Sequence, residues 1–336
     1  MKYGAPEMWR KVPIVAFVAC VCACGSGPPG WHERAALPAA RFEAAAVALN
    51  GRIYYVGGIT GINGQMATAV PVSRVDVLDP ATGSWSSAPD LPVDAPKHHL
   101  AVAVLGGRLY VLGGFDGIIG RGLPTDAFRP VATTWVLEGA SWRRLADQPI
   151  ARGGATAQAI DGVIYVTGGS ATEGVPPYAD TYAYDPARDA WSARASMPTA
   201  REHVTSCLLD GTMIVLGGWV GAARTAMNSA ERYDPRADRW TVLAPMPTAR
   251  GGLGAAVVGT QCYAVGGEDW ALPLPGTFAT LEAFSLADAT WRTLAPMALA
   301  RHGIGVAAHA GKVFVLGGGP QQGNSYTDRV EAYTPE

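Results

Sequence analysis

Six basic side chains recur along this chain at a nearly constant interval: Arg41, Lys97, Arg152, Arg201, Arg250 and Arg301. A guanidinium is a rigid fork of donors that matches a carboxylate, so a ring of such groups on one surface suits an acidic peptide or a sugar carboxylate. A residue present in every repeat serves the repeat equally well, by bonding loop carbonyls of the neighbouring unit. Departures from the repeat therefore carry more functional information. His99 and His203 stand two residues after their basic residues, where three other repeats have glycine, and His98, Glu202 and His302 stand one residue after. Trp219, Trp270 and the pair Phe115-Asp116 lie at or near the start of three long loops, where an exposed aromatic ring can stack on a sugar. His309 replaces an aliphatic position and reads as a wet rim. No nucleophile triad, phosphate-binding loop or paired metal-ligand motif is legible, so neither a metal nor a cofactor is expected.

The elements that must hold these residues repeat with them. Gly-Gly doublets close apolar runs at 57–58, 113–114, 168–169, 217–218, 266–267 and 317–318, after "IYYV", "LYVL", "IYVT", "MIVL", "CYAV" and "VFVL". A Trp lies ten residues before the basic residue in five repeats (Trp31, Trp142, Trp191, Trp240, Trp291) and twelve before Lys97 (Trp85). An aromatic or apolar column, Leu78, Trp135, Tyr184, Tyr233, Phe284 and Tyr333, precedes the Trp by seven residues in the first five repeats. With a period near 50, residues 31–336 resemble the kelch superfamily across their whole length. The resemblance implies an all-β fold, a six-bladed kelch β-propeller with four strands per blade.

Each blade can be read physically. The segment after the basic residue is rich in small side chains ("AAAVAL", "AVAVL", "GLGAAVV"), as innermost strands that converge on an axis require. "NG" at 50 and "DG" at 161 and 210 predict two-residue hairpin turns. No Trp follows Tyr333 at the usual spacing, so Trp31 is expected to supply the outer strand of the last blade, an N-terminal strand closing the ring. The basic column, the doublets and the loops 59–73, 115–130, 170–180, 219–229, 268–280 and 319–328 fall on one face. Long loops on a rigid scaffold carry function, so binding is expected on that face.

The first 24 residues combine a basic flank (Lys2, Arg10, Lys11), the short apolar run "VPIVAFVACVCAC" and three cysteines. They read as a lipoprotein-type signal peptide, with Cys24 as the lipidated residue and Cys20 as a fallback, followed by a tether over 25–30. The expected location is bacterial and exported, at the periplasm, outer membrane or cell surface, with membrane contact only through the lipid. Cys207 and Cys262 are expected to be buried thiols rather than a disulfide or a zinc site. A net charge of −2 argues against nucleic acid. The favoured reading is a monomeric module that binds a protein, peptide or glycan at the cell envelope, leaning away from catalysis. The alternative is a carbohydrate-active enzyme resembling the sialic acid mutarotase (epimerase) type, with Glu202 or Glu268 as acid or base. Copper chemistry of the galactose-oxidase type is not expected, since neither cysteine lies on a long loop.

Overall fold

The small-residue segments, the apolar runs and the Trp segments each become a strand, and they assemble as six four-stranded antiparallel sheets among the described residues. The computed structural model describes Met1 and residues 28–61, 70–92, 97–116, 129–171 and 176–336. The proposed signal peptide and Cys24 lie outside the described residues. In blade 4 the order from the axis outward is Thr205–Leu209, Thr212–Leu216, Ala230–Asp234 and Arg239–Val242. Blade 6 uses Gly305–His309, Lys312–Leu316 and Val330–Thr334 from the C-terminal region and Gly30–Arg34 from the N-terminal region. Trp31 sits opposite Tyr333 in that pairing, with ring centroids 5.3 Å apart, so the expected closure is observed. The inner hairpins turn through Asn50-Gly51, Asp161-Gly162 and Asp210-Gly211, all with positive φ, as two-residue turns of this hand require.

Packing between blades explains the repeated columns. Buried apolar side chains form six wedges, each shared by two adjacent blades, such as Ile160, Tyr165 and Ala183 of blade 3 with Met213, Val215 and Tyr233 of blade 4. At each wedge the second doublet glycine donates its N–H to the carbonyl of the next blade's basic residue, for example Gly218 to Arg250 O at 3.0 Å and Gly318 to Arg41 O at 3.0 Å. A Cβ on the first glycine would meet that same carbonyl, at 2.5 Å for Gly217 and 2.4 Å for Gly57. Glycine is therefore a condition of blades approaching this closely.

The Trp column latches each blade to the one before. Its indole N–H donates to a carbonyl of the preceding blade in all six cases: Trp31 to Ala295, Trp85 to Ala35, Trp142 to Pro89, Trp191 to Ala146, Trp240 to Ala195 and Trp291 to Ala244, at 2.7 to 3.2 Å. Blade 2 differs in register. Its shorter hairpin pairs Trp142 with Leu137, whereas Trp191, Trp240 and Trp291 pair with Tyr184, Tyr233 and Phe284.

One expectation fails. Cys207 and Cys262 form a disulfide, with Cα atoms 5.9 Å apart, inside the wedge between blades 4 and 5. Cys207 lies on the inner strand of blade 4 and Cys262 on the second strand of blade 5, and both point into the shared wedge. Read one repeat at a time, each cysteine merely replaces an aliphatic residue; only the contact across the blade boundary pairs them.

Candidate functional site

The basic column is consumed inside the blades. Arg201 is fully buried; it donates to Gly217 O at 2.6 Å, to Ser229 O at 3.1 Å and to the Glu231 carboxylate at 2.8 Å. Arg41 pairs with Asp76, Arg250 with Glu282 and Arg301 with Glu331, each at 2.6 Å and each buried. Among the described residues no such acid pairs with Arg152; it donates to Gly168 O and Asp180 O and lies over the rings of Tyr178 and Tyr182. Lys97 bonds Thr133. Burial lowers the pKa of Arg201, Arg250 and Arg301, the last to about 10, and the paired glutamates oppose that shift. A sequence signal for these pairs existed. Asp76, Glu231, Glu282 and Glu331 all stand two residues before the aromatic column.

The residues that break the repeat converge instead on the axis. Glu43, His99, Gly154, His203, Gly252 and Gly303 occupy equivalent positions, and every one has a left-handed backbone, with φ between 51° and 66°. Backbone amides at these positions, or in blade 4 at the next residue, link the blades into a closed girdle. Glu43 donates to Gly303 O, His99 to Glu43 O, Gly154 to His99 O, Val204 to Gly154 O, Gly252 to His203 O and Gly303 to Gly252 O. Three of the six positions thus carry side chains where glycine is easiest, at roughly 1–2 kcal/mol each. Those three side chains fill the space the glycines leave: a Cβ on Gly303 would lie 2.4 Å from Glu43 Oε1.

This girdle closes one end of an axial channel of about 500 Å³, lined by the inner strands of all blades and including Thr156, Gln158 and Ser206. His99 Nε2 lies 3.3 Å from Glu43 Oε2, and His302 Nδ1 lies 3.5 Å from Glu43 Oε1 and 3.0 Å from Glu268 Oε1. His203 Nδ1 is 3.7 Å from Glu202 Oε2, and that oxygen accepts a hydrogen bond from Ser170 Oγ. His98 Nδ1 meets His99 Nδ1. Burial disfavours the Glu43 charge, but the imidazoles of His99, His302 and His203 outweigh it and hold the carboxyl well below its usual range. Burial likewise opposes a charged His302, yet Glu268 and Glu43 push its pKa up to about 10. Burial lowers His99 well below its ordinary value, against the opposing pull of Glu43.

The loop aromatics divide. Phe115 and Trp219 are buried, each filling the space beside a glycine of the next blade: a Cβ on Gly153 would meet the Phe115 ring, and one on Gly251 the Trp219 indole. Trp219 also stacks on His203, with centroids 4.0 Å apart. Trp270 is 37% exposed, and the Arg224 guanidinium lies 4.2 Å above its ring. Leu272 and Leu274 on the same loop are exposed at 43% and 72%. Asp116 pairs with Arg129 at the surface, and His309 ends the inner strand of blade 6 at the opposite hairpin face. Glu43, the central acid of the cluster, is the residue that sequence reading missed.

Comparison with known proteins agrees with this geometry. The family model described as the KLHDC2/KLHL20/DRC7 Kelch-repeats domain matches residues 138–318, and the Kelch motif model matches 40–92 and 96–126. The chain is 26% identical over 307 residues to the Kelch-like protein terF of Aspergillus terreus, covering 91% of this chain and 55% of that protein. It is 33% identical over 106 residues to the human Kelch repeat and BTB domain-containing protein 13, covering 30% of this chain and 21% of that one. The chain thus spans about half the length of the first relative and less of the second. The solved structure of YjhT superposes with a TM-score of 0.72 at 14% identity, covering 88% of this chain and 95% of that one, which speaks for the fold. With more than half of its length matched by that family model, and with the glycine, tryptophan and basic columns performing the same tasks blade after blade, this chain belongs to the kelch-repeat family.

Proposed function

We propose that the protein is an exported binding module that takes a protein or glycan partner on its long-loop face. The observation that carries this reading is the blade 5 loop, where Trp270, Leu272 and Leu274 stay exposed beside the Arg224 guanidinium. An exposed indole backed by a cation is a platform for a sugar face or an apolar side chain. The Cys207–Cys262 disulfide supports export, because such bonds persist in oxidising compartments. The test is a screen of the full chain against immobilised glycans and acidic peptides, repeated with Trp270→Ala and Leu274→Ser. The reading expects at least about tenfold weaker binding in both variants. Unchanged affinity, or no binding by the parent protein, overturns it.

A second reading, a sugar epimerase of the mutarotase type, is favoured by the Glu268–His302 pair, a buried acid and base 3.0 Å apart beside the axial girdle. Polarimetry of freshly dissolved N-acetylneuraminic acid and galactose tests it. A rate equal to the spontaneous one removes it.

A further inference from the structure

We propose that Glu43, His99 and His203 form a binding site for a divalent first-row transition cation at the axial girdle. The inference is independent of what the outer loops bind. One carboxylate oxygen and two imidazole nitrogens, one from each residue, lie within 4.8 Å of one another. A cation about 2.1 Å from each ligand sets the ligand atoms about 3.4 Å apart. His99 Nε2 and Glu43 Oε2 already stand at 3.3 Å, so the closure falls mainly on the His203 ring. Two imidazoles and a carboxylate are a borderline ligand set that suits zinc, iron(II), cobalt(II) or manganese(II) rather than calcium or magnesium.

The surroundings fit a metal site in three further respects. Each of the three residues also stands beside a further polar side chain: His98 at His99 Nδ1, His302 3.5 Å from Glu43 Oε1 and Glu202 3.7 Å from His203 Nδ1. Outer partners of this kind orient ligand rings and raise their affinity for metal. Glycines at three of the equivalent girdle positions leave room for the ligand rings, since a Cβ on Gly154 would lie 3.3 Å from the His203 ring at Nδ1. Finally, all three ligands line the channel, so three protein ligands leave the remaining coordination positions facing a cavity that admits water or a small ligand.

The experiment uses the full chain, stripped with a chelator and titrated with cobalt(II) and zinc(II). Metal retained after desalting is counted by elemental analysis, and cobalt(II) coordination is followed by visible absorption. The ligand variants are Glu43→Gly, His99→Gly and His203→Gly. Each installs the residue that blades 3, 5 and 6 already carry at a left-handed position, so the backbone is unstrained, and melts of the metal-free variants identify those that stay folded. The expected result is about one equivalent of zinc per chain and a low-symmetry cobalt spectrum in the parent. Each glycine variant should bind at least about tenfold more weakly, and Glu202→Gln, which acts through His203, about tenfold more weakly. His309→Gln, at the opposite end of its strand, should bind as the parent does. Retention of less than about a tenth of an equivalent by the parent, or parental affinity in the folded glycine variants, overturns the site.

Discussion

Replacing Arg201 by alanine separates a structural basic column from a ligand-binding one. The substitution leaves the Glu231 carboxylate, 2% exposed, with its charge uncompensated in the wedge between blades 3 and 4. Removing one partner of a buried ion pair costs about 3–5 kcal/mol. Arg201 also satisfies Gly217 O and Ser229 O, which places the loss at the upper end, about 5 kcal/mol. Unfolding entropy is about 2.1 cal/mol/K per residue, or about 0.6 kcal/mol/K over the propeller, so the melting temperature should fall by about 8 °C. Arg201→Met with Glu231→Leu replaces the pair by apolar side chains of similar reach and should recover most of that loss. Arg236→Ala, whose side chain is 81% exposed and pairs with Asp161 on the opposite face, should change nothing measurable. Calorimetric melts of these variants, run beside titrations with any glycan or peptide that binds, give the answer. A single variant that melts within about 2 °C of the parent while losing affinity would refute the structural assignment and return the column to the binding site.

Three other outcomes follow from the geometry. Deleting residues 25–38 removes the Gly30–Arg34 strand and leaves Val330–Thr334 as an open edge, so size-exclusion chromatography should show association and melts a lower transition; trimming 25–29 alone should do neither. Peptide mapping without reductant should find Cys207 joined to Cys262, and Cys262→Ser should cost about 2–5 kcal/mol; two thiols that alkylate in the unreduced, denatured protein would sink the pairing. Gly217→Ala places a Cβ 2.5 Å from Arg250 O at a φ of 61°, so chemical denaturation should show a loss of several kcal/mol; a change below about 1 kcal/mol would mean the blade seam is looser than it stands here.

Six-fold repetition made the scaffold legible. A Trp that recurs in every repeat at nearly the same distance from a basic residue can only be serving the repeat, and each one does so through the same indole bond to the preceding blade. The closing strand was legible because one Trp stood before the first repeat and none after Tyr333. Side-chain partners across blade boundaries outside the repeated columns were not legible. The disulfide and the burial of Trp219 beside Gly251 both join a residue of one repeat to a residue of the next, and periodicity within a repeat carries no information about either.

The axial cluster was hidden for a related reason. Its members, Glu43, His99 and His203, come from blades 1, 2 and 4, and ring closure rather than sequence spacing brings their ligand atoms within 4.8 Å of one another. A local motif search cannot find them. The signal lies in the variation of one column, Glu43, His99, Gly154, His203, Gly252 and Gly303, in which every member adopts a backbone that glycine tolerates best. Invariant columns in this chain, the basic residues and the doublets, turn out to be buried and internally bonded. The column in which costly residues replace the easy one is where the axis acquires its charge. In a closed repeat ring, chemistry is therefore best sought where a residue departs from the repeat against its own conformational preference.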